Sequence, residues 1–344
     1  MKIVIDQAIP FVEGVFEPYA DVVYKDGPLI SREDLIDADA LLIRTRTKCD
    51  AELLDGTSVK IIATTTAGTS NIDIDYCSQK GIFFKNALGC NAGAVADYVF
   101  SALYGTAARK SINLSDKTIG IIGLGSAGER VESMGRALGF KILRYDPRKA
   151  EIEWYTQFCS SLDEILEHSD IISLHIPNRE ENRHIANAEF FSKMKDGAFF
   201  INTSHGDLVD EDALMANIPR LGPVAIDVWQ REPNINVQLM NAVDIATPHI
   251  AGYSLQSKQI GSSMAVRAIA RFLTISDLYE YFPQSGILEY QSVKLDILEK
   301  TQGQIASMIQ YNYPIFTDDF MFRMNPTRFE ELRTEYQYRR EFFI

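Results

Sequence analysis

Short apolar runs alternate with helix-like segments along the first ninety residues of the chain. Four of these runs have the length and composition of buried strands: Lys2–Ile5, Ala40–Ile43, Ile61–Ala63 and Ile82–Phe84. Polar turns and short helical segments separate them, and that alternation is typical of parallel strands linked by helices. The pattern therefore predicts a small α/β unit built on a parallel sheet.

The same alternation resumes after a long alanine-rich helix, which is predicted over Ala92–Ala108 and which Asn91 can cap. The strands predicted for this second unit are Ile119–Ile122, Lys141–Tyr145, Ile171–His175, Ala198–Asn202, Val224–Asp227 and Asp244–Ala246. A long amphipathic helix over Ser254–Leu273 leads away from the unit, and we expect it to return the chain to the first one. Two α/β lobes joined by two helical crossings form a cleft, which is where small ligands usually bind.

A glycine-rich segment with the G-x-G-x-x-G pattern lies between the first two of these strands. It reads Gly123-Leu124-Gly125-Ser126-Ala127-Gly128 and is followed by a predicted helix over Glu129–Leu138. In this setting the first glycine permits a tight turn, the second lets the backbone approach a pyrophosphate, and the third lets the helix pack on the strand. The helix N-terminus offers unpaired N–H groups to the phosphates. The alternative is a glycine-rich turn without a ligand, which the complete β-α-β pattern disfavours.

Asp146 decides which dinucleotide we expect. It follows the second strand of the β-α-β pattern, where a carboxylate accepts hydrogen bonds from the adenosine ribose and repels a 2′-phosphate. Arg148 and Lys149 lie close by and would favour NADP. Because the acid occupies the position that meets the ribose, we expect NAD. The predicted cofactor-binding residues are Gly123, Gly125, Ser126, Ala127, Gly128, Asp146 and Asp227.

The predicted fold class is α/β, with two Rossmann-like doubly wound domains, a cleft between them and a small C-terminal α+β module. The substrate (lid) domain comprises residues 1–92 and 256–280, the NAD-binding domain residues 93–255, and the module residues 281–344. The helical pattern breaks at Tyr281-Phe282-Pro283, where the module begins. Its apolar end, Phe342-Phe343-Ile344, predicts packing against a partner chain; the alternative is a tail that covers its own lobes.

Composition narrows the classes of partner. The 344 residues carry a formal net charge of −13, so the phosphate backbone of a nucleic acid would be repelled. An anionic substrate stays possible, because it needs only a local basic pocket. The four cysteines lack metal-ligand spacing, and no apolar run has the length of a signal peptide or a membrane span. These features predict a soluble cytoplasmic protein with no metal, nucleic-acid or membrane partner.

A histidine and a carboxylate follow two neighbouring strands of the predicted second unit. His249 lies just after the last strand, and Glu232 lies on the loop after the strand before it. Oxidation of an alcohol by a nicotinamide needs a base for the hydroxyl proton, and histidine suits this role because its ordinary pKa is near neutrality. A carboxylate on the other ring nitrogen would orient the ring. A lone loop histidine is more often structural, but the glutamate and the dinucleotide site favour catalysis.

Taken together, these motifs resemble the D-2-hydroxyacid dehydrogenase family. The matching segments are the glycine fingerprint, Asp227-Val228 with Glu232-Pro233, and Pro248-His249. Other segments resemble one branch of the family, which oxidises a small phosphorylated hydroxy acid in pyridoxal phosphate biosynthesis and has a C-terminal dimerisation module. Those segments are Arg44–Thr47, Gly89–Ala92, Thr247–Tyr253, Tyr313–Phe316, Asp318-Asp319 and Arg339–Phe342. The resemblance covers essentially the whole chain and implies an NAD-dependent, homodimeric 2-hydroxy acid dehydrogenase.

The resemblance also implies catalytic roles, with one departure from the family. It makes His249 the acid/base and Glu232 its orienting partner. The family's third catalytic residue is an arginine that clamps the substrate carboxylate, and His205 stands at that position here. An imidazole lacks the permanent charge and the bidentate fork of a guanidinium, and removing one such donor commonly costs about 10²–10³ in rate. We therefore expect weaker substrate binding, activity favoured at lower pH, or no normal turnover, unless Arg44 or Arg46 supplies the charge.

Candidate substrate ligands lie in the first unit and after His249. Arg44 and Arg46 follow the strand Ala40–Ile43 and are candidates for a phosphate; strand alternation would place both on one face, which a solvated edge explains equally well. In the family, the loop that contains Thr66, Ala67 and Gly68 meets the substrate carboxylate. Tyr253 is a further candidate. We expect the polar residues beyond this loop to cap the next helix rather than bind a metal: Asn71, Asp73 and Asp75.

Three functional interpretations follow. The first is NAD-dependent oxidation of a small phosphorylated 2-hydroxy acid, with His249 as the base. The second is a related 2-hydroxy acid dehydrogenase with a different substrate, which His205 would permit. The third is an NAD-binding protein that has lost catalysis and acts as a binding or regulatory module, and His205 supports this interpretation as well.

Overall fold

The computed structural model of the chain describes residues 1–283 and 292–344. In chain order the strands are β1 (Lys2–Asp6), β2 (Asp21–Lys25), β3 (Ala40–Ile43), β4 (Ile61–Thr64), β5 (Phe83–Asn86), β6 (Thr118–Ile122), β7 (Lys141–Tyr145), β8 (Ile171–Leu174), β9 (Phe199–Asn202), β10 (Val224–Ile226), β11 (Ile245–Ala246), β12 (Val293–Lys294) and β13 (Phe342–Phe343). The helices are α1 (Arg32–Leu35), α2 (Ala51–Leu54), α3 (Ile74–Gln79), α4 (Ala92–Lys110), α5 (Ser126–Ala137), α6 (Pro147–Ala150), α7 (Glu153–Thr156), α8 (Leu162–His168), α9 (Ala188–Lys193), α10 (Glu211–Asn217), α11 (Val237–Ala242), α12 (Leu255–Leu273), α13 (Gln302–Asn312), α14 (Ile315–Met324) and α15 (Phe329–Thr334). The chain divides into two compact units: residues 1–91 with the described part of 255–290, and residues 92–254 with the described part of 291–344.

The first unit is built on a five-stranded parallel sheet with the strand order β2-β1-β3-β4-β5. Successive side chains of a strand enter opposite faces of the sheet: Ile3 and Ile5 pack in the core that α12 covers, whereas Val4 packs in the core on the other face. The hydrophobic pattern does not predict β2, because Asp21–Lys25 is an edge strand whose side chains are half-buried or exposed rather than a continuous apolar run.

The second unit contains a six-stranded parallel sheet with the order β11-β10-β9-β8-β6-β7. After β7 the chain crosses to the other side of β6 and continues outward from β8. The strand order therefore reverses between β6 and β8, and ligands of open α/β sheets bind beyond the carboxyl ends of the strands at such a point. Both sheets are parallel and flanked by helices, so the predicted α/β class with Rossmann-like units is confirmed.

The C-terminal segment, residues 292–344, packs against the cores of the second unit. Phe342 is buried in the core beside α4 and β6, and Phe322 and Phe329 are buried in the core on the other face of the sheet. The N–H of Phe342 donates a 2.9 Å hydrogen bond to Oδ2 of Asp97. Truncating a buried aromatic side chain of this kind to alanine costs about 3–5 kcal/mol. For Phe342 the structure therefore supports the alternative prediction, in which the end of the chain covers its own unit instead of a partner chain. The dimerisation role of the segment stays a prediction.

Within residues 1–283 and 292–344, none of the helices has both the length and the apolar character that crossing a membrane requires.

Candidate active site

The glycine-rich loop leads from β6 into α5, at the place where the strand order of the second sheet reverses. Gly123 has a φ of +98°, and a side chain there would overlap the backbone of His175. A Cβ on Gly128 would overlap the carbonyl oxygen of Gly123. Oδ2 of Asp146 accepts a 2.8 Å hydrogen bond from the N–H of Leu124, which ties the loop to the end of β7. The tight turn and the close helix packing expected of the first and third glycines are both present.

The space beside Gly125 fits an anion. Gly125 is the N-cap of α5, and a Cβ built on it would meet no described atom within 4 Å. The first N–H groups of a helix, here including those of Ser126 and Ala127, lack intrahelical acceptors. Together with the partial positive charge of the helix end, they favour a phosphate. The residues present therefore fit the pyrophosphate of a dinucleotide.

The end of β7 favours NAD over NADP. Arg148 lies 3.4 Å from a carboxylate oxygen of Glu181, and Lys149 forms an ion pair with Glu129. Oδ1 of Asp146 accepts from the N–H groups of both basic residues at 3.1 and 3.2 Å. A carboxylate has about four acceptor positions, so Asp146 keeps capacity for a ribose hydroxyl. A 2′-phosphate would lie against this carboxylate and be repelled by it. The neighbouring cations, Arg148 and Lys149, are already paired with the acidic side chains of Glu181 and Glu129.

His249 and Glu232 form a hydrogen-bonded pair. Nδ1 of His249 lies 2.8 Å from Oε2 of Glu232, and Oε1 of Glu232 accepts from the N–H of Trp229 at 2.9 Å. Burial raises the pKa of Glu232, but the hydrogen bonds from His249 and Trp229 outweigh burial, and the pKa is lowered. An ionised carboxylate can only accept, so Nδ1 carries the proton of the neutral imidazole. Nε2 then has a free lone pair, which is the state that a general base needs.

The backbone around His249 is held in an uncommon conformation. His249 has a φ of +58°, which few residues other than glycine adopt. Its N–H donates to the carbonyl oxygen of Asp227 at 2.7 Å. The Asp227 carboxylate accepts from the Thr247 hydroxyl at 2.6 Å and from the N–H groups of Ile250 and Ala251 at 2.8 and 2.9 Å. Conformations of this kind persist where the surroundings enforce them, and they concentrate at functional sites.

Asp227 is thus the residue that organises the loop bearing His249. Burial raises the pKa of its carboxyl group, while His249 and the hydrogen bonds that it accepts oppose this effect. Its expected contact with the cofactor stays a prediction, as do the contacts expected of the glycine-rich loop.

His205 lies beside the same pair. A 3₁₀ turn begins at Gly206, and a Cβ there would overlap the backbone of the loop that leads to Glu232, so this glycine allows the two loops to touch. Burial and the nearby His249 lower the pKa of His205, although Glu232 opposes the effect. The imidazole is therefore neutral at neutral pH. The position where the family has a permanently charged arginine holds no charge here.

Two arginines of the C-terminal segment also reach this part of the unit, and the sequence pattern did not place them there. Arg339 donates to carbonyl oxygens that directly follow His249: those of Ile250, Ala251 and Tyr253, at 3.2, 2.6 and 2.8 Å. Its guanidinium also lies over the ring of Tyr313, 3.9 Å from the centroid. Arg339 therefore fixes the backbone on the C-terminal side of the histidine.

Arg333, on α15, is the second of these arginines. Its guanidinium lies 5.7 Å from the centroid of the Phe329 ring, and its positive charge contributes to the lowered pKa of Glu232. A terminal nitrogen lies 3.2 Å from Oε1 of Glu330. From the sequence, this region was interpreted as a dimerisation module, because of its apolar end and its resemblance to one branch of the family, and not as an active-site contact.

In the first unit, Arg44 and Arg46 have different surroundings. Nε of Arg44 donates to Oδ2 of Asp6 at 2.8 Å, and the Asp6 side chain is fully buried. Arg46 is exposed and borders a groove of about 570 Å³ that Arg32 also lines. Because β3 ends at Ile43, the alternation of an extended strand does not apply to either arginine. Their contact with a substrate phosphate stays a prediction.

The loop after β4 holds the other predicted substrate ligands of the first unit. The hydroxyl oxygen of Thr66 lies 2.8 Å from that of Thr64, and the carbonyl oxygen of Ala67 accepts from the side-chain amide of Asn86 at 2.7 Å. Gly68 is exposed. The role of these residues toward a carboxylate stays a prediction.

Of the three residues expected to cap α3, only Asp73 does so. Its Oδ1 accepts from the N–H of Tyr76 at 2.9 Å. Asn71 instead donates to the carbonyl oxygens of Arg44 and Thr47, and Asp75 lies inside the first turn of the helix. Among the residues that the structure describes, no three side chains of histidine, cysteine, aspartate or glutamate gather into a possible metal site.

Comparisons with known proteins agree with this geometry. Residues 95–251 match the model of the D-isomer specific 2-hydroxyacid dehydrogenase family, NAD binding domain. The chain is 38% identical to the erythronate-4-phosphate dehydrogenase of Bacteroides fragilis, a match covering 99% of this chain and 97% of that protein. It is 36% identical to the enzyme of that name from Yersinia pestis, with 99% and 93% covered.

Two solved dehydrogenase structures are also similar to the chain. The D-lactate dehydrogenase from Aquifex aeolicus, complexed with NAD and lactic acid, is 26% identical with a TM-score of 0.67, over 82% of this chain and 98% of that one. The NAD⁺-bound 3-phosphoglycerate dehydrogenase of Entamoeba histolytica is 29% identical with a TM-score of 0.67, over 81% and 97%. The chain therefore belongs to the D-isomer specific 2-hydroxyacid dehydrogenase family, in the branch of the erythronate-4-phosphate dehydrogenases, and its second unit carries the NAD-binding domain.

Proposed function

We propose that this protein oxidises 4-phospho-D-erythronate to the corresponding 2-oxo acid, with NAD as the oxidant. The observation that carries the proposal is the pair formed by His249 and Glu232, which lies in the NAD-binding unit with the lone pair of Nε2 available. The substrate is inferred from the full-length similarity to proteins named erythronate-4-phosphate dehydrogenase.

The chemistry divides between the cofactor and the side chains. NAD, when bound, accepts the hydride that leaves the carbon bearing the 2-hydroxyl group. His249 takes the hydroxyl proton at Nε2, so the C–O single bond becomes a carbonyl while the C–H bond breaks. Glu232 keeps the Nδ1 proton in place and stabilises the imidazolium that forms. Acid–base help of this kind typically contributes on the order of 10²–10⁴ in rate.

The remaining assignments are part of the same proposal. Arg44, Arg46 and the loop with Thr66, Ala67 and Gly68 are the proposed ligands of the anionic substrate, and Tyr253 is a further one. We propose a homodimer in the cytoplasm that serves pyridoxal phosphate biosynthesis, as the resemblance to this branch of the family implies.

A substrate panel tests the proposal. Purified, folded protein that binds NAD would be supplied with 4-phospho-D-erythronate, 3-phosphoglycerate, D-lactate and unphosphorylated erythronate, and NADH formation would be measured. We expect kcat/KM to be highest with 4-phospho-D-erythronate, by at least about tenfold. Preference for another hydroxy acid would support the second interpretation, a related dehydrogenase with a different substrate.

A second candidate function rests on His205. A neutral imidazole at the arginine position is compatible with an NAD-binding protein of impaired catalysis. Absence of NADH formation with every hydroxy acid of the panel, in protein that binds NAD normally, would favour this candidate.

A further inference from the structure

Thr247 directly follows β11, is fully buried, and is hydrogen-bonded through both its side chain and its backbone. Its hydroxyl donates to Oδ1 of Asp227 at 2.6 Å, and its carbonyl oxygen accepts from the indole N–H of Trp229 at 2.9 Å. The backbone N–H of Trp229 in turn donates to Glu232. Thr247 therefore joins the loop that bears Glu232 to the loop that bears His249.

The hydroxyl of Tyr98, on α4, approaches the same threonine. The two side-chain oxygen atoms lie 2.6 Å apart, and both residues are fully buried. A threonine hydroxyl has one proton, and that of Thr247 is donated to Asp227. Tyr98 must therefore be the donor to Thr247. The result is a chain of two hydrogen bonds that runs from α4 through Thr247 to the carboxylate of Asp227.

The position of Tyr98 is set by the packing of α4 against the C-terminal segment. Its ring centroid lies 6.2 Å from that of Tyr313, and both rings are buried in the same core. On the same helix, Ser101 donates its hydroxyl to the carbonyl oxygen of Tyr313 at 2.7 Å, and the side-chain amide of Gln310 donates to the carbonyl oxygen of Ser101 at 2.8 Å. These contacts give the Tyr98 hydroxyl a fixed direction.

The other end of the chain of hydrogen bonds is the turn that carries His249. The Asp227 carboxylate accepts from the N–H groups of Ile250 and Ala251 at 2.8 and 2.9 Å. The backbone carbonyl of Asp227 accepts from the N–H of His249 at 2.7 Å. These bonds enclose the residue whose φ is +58°. The backbone that carries the imidazole therefore depends on the position of this one aspartate.

We propose that Tyr98 is a positioning residue of the dehydrogenase site, which acts through Thr247 and Asp227 to hold the turn of His249 in the geometry needed for proton transfer. A hydroxyl that accepts a hydrogen bond becomes a stronger donor, so donation by Tyr98 strengthens the bond from Thr247 to Asp227. The inference rests on the proposed function in one respect, because the proton transfer is that of hydroxy acid oxidation. The hydrogen bonds that carry it do not depend on the identity of the substrate.

A double-mutant cycle in the full-length protein tests this chain of hydrogen bonds, with Tyr98→Phe, Thr247→Val and the two changes combined. For Tyr98→Phe we expect kcat for NADH formation from 4-phospho-D-erythronate to fall by about threefold to tenfold, the effect of one neutral hydrogen bond. Thr247→Val removes the donor to a carboxylate and should lower kcat by about 10–100-fold. In the Thr247→Val background, Tyr98→Phe should change kcat by less than about twofold, because its route to Asp227 is already broken.

Two further variants distinguish this role from packing. Tyr104→Phe is the matched control, since Tyr104 is a buried tyrosine of the same helix whose ring packs edge-on against Phe140, and its kcat should stay close to that of the parent. Thr247→Ser retains the hydroxyl and should be at least about fivefold faster than Thr247→Val. The inference is overturned if Thr247→Ser is as slow as Thr247→Val, or if Tyr98→Phe lowers kcat equally in both backgrounds.

A readout without turnover separates this inference from the proposed function. Hydrogen–deuterium exchange of the peptide that contains Ile250 and Ala251 follows the N–H groups that donate to Asp227. Tyr98→Phe should accelerate this exchange by about threefold or more, whereas Tyr104→Phe should not. If the parent forms no NADH, the proposed function is rejected, and the exchange rate of Tyr98→Phe alone decides the inference. A rate equal to that of the parent overturns it.

Discussion

Nδ1 of His249 lies 2.8 Å from Oε2 of Glu232, and both residues stand on loops that follow adjacent parallel strands. The other oxygen of Glu232 accepts the N–H of Trp229, so the carboxylate is fixed at both ends. This arrangement determines the tautomer of the imidazole and leaves Nε2 as the proton acceptor.

Replacing Glu232 with glutamine tests the tautomer argument. The amide can donate as well as accept, and it removes the charge that stabilises the imidazolium, so kcat should fall by about 10²–10⁴. Steady-state NADH formation measures the effect, with Glu167→Gln at an exposed position of α8 as the control for loss of one acidic side chain. A variant that keeps more than half of the parental kcat would remove Glu232 from the mechanism.

This pair could be predicted from the sequence because each strand that positions it can be recognised from its own short segment of the chain. Continuous apolar runs marked the parallel strands, and the carboxyl ends of neighbouring parallel strands meet at one edge, which brings His249 and Glu232 together. The role of Arg339 could not be predicted in this way. Arg339 contacts the carbonyl of Tyr253 across 86 positions of the chain, and no local period or spacing records such a contact. The edge strand β2 was missed for a related reason, since its side chains are only partly buried.

Substitution of His205 with arginine distinguishes an adapted site from an impaired one. If His205 is adapted to its own substrate, a guanidinium beside His249 disfavours the imidazolium and must itself be desolvated, so we expect kcat/KM to stay level or to fall. Kinetics with 4-phospho-D-erythronate, with His205→Asn as the uncharged control, measure this. A gain of about 10² or more would instead favour the interpretation of impaired catalysis.

Two glycine variants separate cofactor binding from folding. A Cβ at position 125 enters open space next to the start of α5, so Gly125→Ala should leave the melting temperature near that of the parent and weaken NAD binding by about tenfold or more. A Cβ at position 128 meets the Gly123 carbonyl, so Gly128→Ala should lower the free energy of unfolding by about 1–3 kcal/mol. Calorimetric NAD titration and urea unfolding provide the two measurements. Unchanged NAD affinity in Gly125→Ala would contradict the proposed position of the pyrophosphate.

Arg339 is expected to be essential for the loop that follows His249. Arg339→Met retains much of the apolar volume but removes the guanidinium that donates to three carbonyl groups of that loop, at positions 250, 251 and 253. Loss of these hydrogen bonds from a charged donor should lower the free energy of unfolding by about 2–4 kcal/mol and reduce kcat as the loop relaxes. Urea unfolding, compared with Arg328→Met at the surface, measures the difference. Equal stability of the two variants would show that Arg339 does not hold the loop.

The central claim is that His249 accepts the hydroxyl proton of 4-phospho-D-erythronate, and NADH formation by the parent and by His249→Gln tests it most directly. Both proteins should bind NAD with similar affinity, because the glycine-rich loop is unchanged. The parent should produce NADH from this substrate, and the variant should be slower by at least about 10² in kcat. A parent that is folded and loaded with NAD but forms no NADH above background, or a variant as fast as the parent, would contradict the account.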